Sequence, residues 1–281
     1  MVSKKNINKF YTKGKTLLFL KNKIHKAIVL DIILLKVSEY KKNKLVLDEK
    51  IKEKKWEKIH LIIRSSSSNE DNTNYSNAGK FLSIQNVISF KEIKKSVEKV
   101  IKSYSDPNSK DEVLIQPYLK DISISGVIFT RDPSNNGPYI KINYDSLSGL
   151  SDSITSGSSN DNEVFYYHRK HKHKFNDFRD QLIDLCFELE SIYEMDSLDI
   201  EFAIDKKNNI YLLQVRPLII NIPKKFSDTS HYKIVNNISN TLDVWMKKNP
   251  YLLGDKGIYG VMPDWNPAEI IGRKPKPLAL S

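Results

Sequence analysis

Between residues 198 and 217 apolar and polar positions alternate in two runs, 198–205 and 210–215, on either side of a Lys-Lys-Asn-Asn turn. Two such runs around a short polar turn predict a β-hairpin. Side chains alternate faces along a strand, so Asp199, Glu201 and Ala203 share one face and Ile200, Phe202 and Ile204 the other. On the second run Gln214 and Arg216 again share a face. Pairing about the turn brings Glu201, Gln214 and Arg216 together.

The rest of the chain follows from the same reading of periodicity. Residues 13–21 predict a short helix opened by a basic turn, 27–37 a buried strand and 48–58 a Lys/Glu-rich surface helix. A strand over 59–63 runs into Arg64 and a serine-rich segment ending at Asp71. Residues 77–81 predict a turn leading to a strand through Ile84. Ser89 and Glu92 have the spacing of a capping box, followed by Ile93, Val97, Val100, Ile101 and Tyr104 at helical spacing. Asp106-Pro marks a hinge between lobes. Strands are expected at 113–118, 122–130, 139–144 and 163–168, with a polar loop up to about residue 162. An amphipathic helix over 175–195 feeds into the hairpin. Beyond Pro223 a last helix aligns Ile234, Ile238, Leu242 and Trp245, and 262–281 has the proline-rich look of a linker.

An acidic residue in the middle of so apolar a strand is costly unless a cation meets it. Glu201 with Gln214 offers hard oxygen donors suited to Mg²⁺, and the Arg216 guanidinium suits a phosphate. The other reading of the same residues is a buried Glu201–Arg216 ion pair that serves only the fold. Four serines behind Arg64 offer hydroxyls, backbone amides and a fixed positive charge, which is chemistry for an anion, or else form a solvated linker.

Composition narrows the choice. The 281 residues carry a formal net charge of +11, and 40% are hydrophobic. The charge is local: residues 1–60 hold 17 Lys against 6 acidic residues, and the remainder is neutral. That segment contains no Arg and its lysines are scattered, so the excess reads as compositional bias rather than as a nucleic-acid footprint. One cysteine, Cys186, excludes an internal disulfide and a cysteine-clustered zinc site, and it falls on the core face of a predicted helix. His168, His171 and His173 are interleaved with Arg169, Lys170, Lys172 and Lys174, cations that repel a metal. The run 27–37 carries Asp31 and is too short to cross a bilayer, and no secretory signal is evident; a cytoplasmic protein is expected. Neither a Gly-x-x-x-x-Gly-Lys-Ser/Thr loop, a Gly-x-Gly-x-x-Gly fingerprint nor a Gly-x-Ser-x-Gly elbow occurs.

Four stretches, in order over about 60–220, resemble the ATP-binding domain of the phosphoenolpyruvate synthase and pyruvate phosphate dikinase family. They are Ile63-Arg-Ser-Ser-Ser-Ser-Asn-Glu-Asp71, Asn77-Ala-Gly-Lys-Phe81, Ser125-Gly-Val-Ile-Phe-Thr-Arg-Asp-Pro133, and Asp199-Ile-Glu-Phe-Ala-Ile with Leu213-Gln-Val-Arg-Pro217. The resemblance implies an α+β ATP-grasp fold, two lobes with the nucleotide between them: 1–105 as the first lobe, 106–222 as the second, and 223–281 leading to an acceptor or phosphohistidine region absent from the chain. It implies that Glu201 and Gln214 hold Mg²⁺ on ATP, that Arg64 and Arg216 act in catalysis by neutralising the phosphates, and that Lys13 binds phosphate as well. Thr12 stands where the family has a glycine before that lysine.

Residues 142–157 and 262–269 are similar to the glutamine-kinase branch of the family, which starts the phosphoramidate decoration of capsular polysaccharide. This implies L-glutamine as acceptor, reached through a phosphohistidine on a further domain, with ATP converted to AMP and phosphate. No histidine here has the family's phosphohistidine context, and Ser148-Gly-Leu-Ser151 replaces its Gly-Leu-Gly-Glu. The chain is therefore expected to be the nucleotide half of the enzyme, a fragment, split-gene product or truncated frame. A synthase-like half acting on pyruvate, a basic nucleic-acid-binding protein and a decayed interaction domain stay open as alternatives.

Overall fold

The computed structural model describes residues 10–67, 82–104, 111–146, 163–172, 174–225, 227–248, 250–251 and 253–257. The chain divides into two units, Met1–Asp228 and Thr229–Ser281. The first unit is α+β, built on two antiparallel sheets.

The first sheet has the order β1-β4-β2-β3, with β1 Ile33–Lys36, β2 Leu61–Ser66, β3 Ser83–Val87 and β4 Glu112–Pro117. The helices before β4 are α1 Lys13–Leu20, α2 Val37–Lys42, α3 Leu45–Glu53 and α4 Phe90–Ser103. Alternation sorts the strands by face: Ile33, Leu35, Leu61, Ile63, Val113 and Ile115 pack with Leu47 and Ile51 of α3 and Ile93, Val97 and Val100 of α4. The opposite face carries Leu34, Arg64, Ser66, Glu112 and Leu114, because these occupy the intervening positions. The capping box at the start of α4 is formed: the Glu92 amide donates to Ser89 Oγ, and the Ser89 amide donates back to Glu92 Oε2.

The second sheet has the order β7-β6-β5-β8-β9, with β5 Ile122–Phe129, β6 Tyr139–Asp145, β7 Glu163–His168, β8 Leu198–Asp205 and β9 Ile210–Pro217. α5, Phe178–Tyr193, covers one face through Leu182, Leu185, Cys186, Leu189 and Tyr193. Asp177 caps it by accepting from the Arg179 amide, so the helix starts three residues later than its periodicity suggests. Burial pushes the Cys186 thiol well up, as suits a small apolar side chain in a core. Gly126 in β5 is obligatory: a Cβ there would lie 2.3 Å from the Asn143 carbonyl oxygen and under 3 Å from the Phe202 ring. The face away from α5 carries Glu201.

Tertiary contacts overrule local pattern in several places. Strand β4, expected with the second lobe, is an inner strand of the first sheet, bonded to β1 and β2. Helix α1 is claimed by the second sheet although it precedes the first in sequence: Leu17 and Leu20 join that core with Leu189 and Tyr193, as do Ile24, Val29 and Ile32 after them. Only Ile33–Lys36 of the strand expected over 27–37 is regular. Ile28 instead pairs with the edge of β9, its amide donating to the Ile210 carbonyl and its carbonyl accepting from the Leu212 amide. The segment thus steps from one sheet to the other.

The stretches 68–81, 105–110, 147–162 and 258–281, and His173, lie outside the described residues, and with them the end of the serine-rich segment from Ser68, the turn at 77–81, the hinge at Asp106, the Ser-Gly-Leu-Ser segment and the terminal linker. All of α6 (Asp228–Trp245) but its first residue belongs to the second unit; the apolar face expected from Ile234, Ile238, Leu242 and Trp245 buries none of these side chains. Among the described residues no helix is long and apolar enough to cross a membrane.

Candidate functional site

The hairpin of β8 and β9 turns on Lys206–Asn209, where Asp205 accepts from the amides of Lys207 and Asn209, and Asn208 takes a left-handed φ of 63°. Near the turn the register is regular, with Ile204 opposite Ile210 and Phe202 opposite Leu212. A β-bulge then intervenes: Glu201 pairs with Gln214, and Asp199 with Arg216, leaving Leu213 as the extra residue. Strict alternation from Leu212 would turn Gln214 and Arg216 into the core. The bulge reverses that parity, so Leu212 and Val215 are buried in the core while Gln214 and Arg216 share the face of Glu201. The convergence expected of Glu201, Gln214 and Arg216 is present, and one irregular residue produces it.

The expected ion pairing is rearranged. Arg216 does not pair with Glu201; its Nε donates to Asp199 Oδ2 at 2.8 Å, and a terminal nitrogen reaches the same oxygen at 2.7 Å. Glu201 is met instead by Arg64 of β2, whose guanidinium lies 3.2 Å from Oε2 and 3.5 Å from the carbonyl oxygen of the bulged Leu213. Arg64 therefore crosses from the first sheet to the second, over 137 residues of sequence. Burial works against ionisation of Glu201, but Arg64, then Lys13 and Arg216, outweigh it and hold the carboxyl below the ordinary glutamate range. All five residues expected to handle nucleotide thus belong to one cluster: Lys13, Arg64, Glu201, Gln214 and Arg216.

Two polar atoms in the cluster are left over. Gln214 Oε1 and Arg64 Nε are buried without a hydrogen-bond partner among the described residues. An orphaned buried acceptor costs about 1–3 kcal/mol, so its retention beside a carboxylate calls for a ligand. An amide oxygen and a carboxylate on facing strands are a donor set for Mg²⁺, and three cations around them suit a polyphosphate. The residues present fit both groups.

Ser65 and Ser66, expected in a loop after Arg64, belong to β2, since pairing with β4 continues to Ser66 opposite Glu112. Their neighbour Ser67 donates to Asp111 Oδ1, and Ser66 Oγ accepts from the Gly14 amide. These hydroxyls hold the frame rather than face a ligand. His168 Nδ1 accepts from the Lys170 amide, and its ring stands edge-on to Tyr139. Sequence reading missed Asp199 as the partner of Arg216; its place on the Glu201 face, two residues away, was the available signal.

No family model matches the sequence, and no curated protein matches it. Among solved structures the chain is similar to the VanG D-Ala:D-Ser ligase from Enterococcus faecalis, at 9% identity and a TM-score of 0.43 over 74% of this chain and 52% of that one. It is similar also to the D-alanine–D-alanine ligase from Coxiella burnetii, at 12% identity and 0.42 over 82% and 55%. A third is the macrocyclase MdnC bound with precursor peptide MdnA from Microcystis aeruginosa, at 10% identity and 0.46 over 84% and 64%. The chain spans about half the length of the two ligases. Likenesses this distant carry no statement about its chemistry.

Proposed function

We propose that this chain is an ATP-grasp nucleotide-binding domain of a phosphotransferase, with the triphosphate of Mg·ATP received between Arg64 of the first sheet and the β8–β9 hairpin of the second. The observation that carries the reading is the buried, unpartnered Oε1 of Gln214 beside the Glu201 carboxylate, under the charges of Lys13, Arg64 and Arg216. The order of the four sequence stretches that resemble the dikinase family supports it independently. Mg²⁺, when bound, neutralises phosphate charge from a seat on Glu201 and Gln214.

The chain's own residues supply the remainder. Arg216, oriented by Asp199, and Arg64 present guanidinium groups whose geometry suits phosphate oxygens. Their charge is fixed before the nucleotide arrives, so little reorganisation accompanies charge development on the transferring group. Phosphoryl transfer asks little else of a protein than this positioning and neutralisation. For the acceptor side, the sequence resemblance alone supports transfer through a phosphohistidine of a further domain to L-glutamine, with release of AMP and phosphate. On that reading the chain by itself binds Mg·ATP and forms no glutamine phosphate.

Calorimetric titration of Mg·ATP into the purified chain, beside Glu201→Ala and Arg216→Ala, tests the site. Binding by the parent and weakened binding by both variants is the expected result. A folded parent that takes up no Mg·ATP would reduce the cluster to a structural ion-pair set.

A further inference from the structure

The segment Thr12-Lys13-Gly14-Lys15 carries two lysines that could serve a phosphate, and only one of them acts on Glu201. Lys13 is partly buried, and its charge helps to hold the Glu201 carboxyl below the ordinary glutamate range. Lys15 lies 3.0 Å from Glu112 Oε1. The other oxygen of the same carboxylate accepts from Thr12 Oγ1 at 2.9 Å. Glu112, 2% exposed at the start of β4, therefore holds the residues on both sides of Lys13 with its two oxygens. Its own position is set by the sheet, where it lies between Lys36 and Ser66 in one cross-strand row.

The backbone between those two contacts is fixed as well. The Gly14 amide donates to Ser66 Oγ at 3.0 Å. A Cβ on Gly14 would stand 2.2 Å from Leu34 Cδ2, so any larger residue there would have to displace the Leu34 side chain from between the turn and the sheet. The Ser66 amide donates to the Tyr104 hydroxyl, which in turn donates to the Glu112 carbonyl at 2.6 Å. Ser66 is two residues beyond Arg64 on the same face of β2, so one hydrogen-bonded ring ties the lysine turn to the strand that carries the site's arginine.

We infer that Glu112 is a positioning residue: by engaging Thr12 and Lys15 it withdraws Lys15 from the site and aims Lys13 at the phosphates. This rests on the nucleotide reading of the cluster. It also gives Thr12 a task that a glycine could not perform, since the clamp needs its hydroxyl. Structural damage alone would weaken nucleotide binding whether or not Lys13 is present. A positioning role requires that the effect vanish once Lys13 is gone.

A double-mutant cycle on Mg·ATP affinity tests this, using the parent chain, Glu112→Gln, Lys13→Met and the double variant, each with its melting temperature recorded. Lys13→Met and Glu112→Gln are each expected to weaken binding about tenfold, and Glu112→Gln to cost less than about twofold in the Lys13→Met background. Thr12→Val, which removes one hydroxyl at nearly constant shape, runs the same cycle and decides the matter if Glu112→Gln does not fold. Equal losses with and without Lys13, or no loss from either clamp variant while Lys13→Met weakens binding, would overturn the positioning role alone. Lys13→Met that binds as the parent does would likewise overturn this role alone, whereas a parent that binds no Mg·ATP would overturn the nucleotide reading and this role with it.

Discussion

Two ionic clusters flank β8, and they are built on opposite terms. At the end of the strand towards Leu198, Arg131 is 2% exposed and uses every arm of its guanidinium: Nε to Asp196, one terminal nitrogen to the Asn136 carbonyl, the other to both oxygens of Asp228. Arg169 beside it makes a two-pronged contact with Glu190 at 2.6 Å and donates to the Thr130 carbonyl. Lys224 completes the set on Asp196, so three cations face three carboxylates, and no buried side-chain atom of the set lacks a partner. Among the described residues, the cluster around Glu201 has three cations for two carboxylates and keeps two buried atoms unsatisfied. A saturated network serves the fold; one that keeps a buried amide oxygen and a buried guanidinium nitrogen unsatisfied is arranged for something that comes from outside. Ion pairs as such do not mark a site, because both clusters have them.

The sharpest contrast comes from breaking each cluster at a carboxylate. Glu190→Ala strands a buried guanidinium and is expected to destabilise the protein by about 3–5 kcal/mol in chemical denaturation. Glu201→Ala is expected to cost less stability than that, and to weaken Mg·ATP binding by about 100-fold, roughly 3 kcal/mol, in calorimetry. The reverse pattern would exchange the roles assigned to the two clusters. Gln214→Leu separates stability from binding within one residue: removing an orphaned acceptor should raise stability by about 1 kcal/mol while Mg·ATP affinity falls. A destabilised Gln214→Leu would mean that its oxygen is satisfied in solution.

The smallest effect is the pH dependence. Glu201 has a depressed folded-state value, so its contribution is complete above the ordinary glutamate value of 4.5 and is lost as pH falls through the depressed one. The stability gap between the parent and Glu201→Gln should accordingly stay constant from neutrality to about pH 4.5 and close below it. A gap that closes above that pH would remove the cations from its neighbourhood.

What local pattern could reach was reached. The capping box of Ser89 and Glu92, the amphipathic face of α5 and the hairpin turn depend on residues within a few positions of one another, and alternation alone put Asp199 and Glu201 on one face. The irregular register of β9 was beyond that reasoning, since a bulge at Leu213 is favoured by the core that claims Leu212 and Val215 and by the carbonyl that Arg64 approaches. Partner choice lay further still. Whether Glu201 meets Arg216 or Arg64 depends on two sheets coming together across 137 residues, and Asp199 had to be in place to take Arg216.

By itself, then, the sequence determined which residue types converge on the hairpin and which periods form its helices and strands, because those are properties of neighbouring positions. Only the tertiary structure decided that β4 lies inside the first sheet, that α1 packs under the second, and that Glu112 consequently sits beneath the lysine turn. Those choices minimise exposed apolar area and unpaired charge over the whole molecule at once, and no window of the sequence contains that sum.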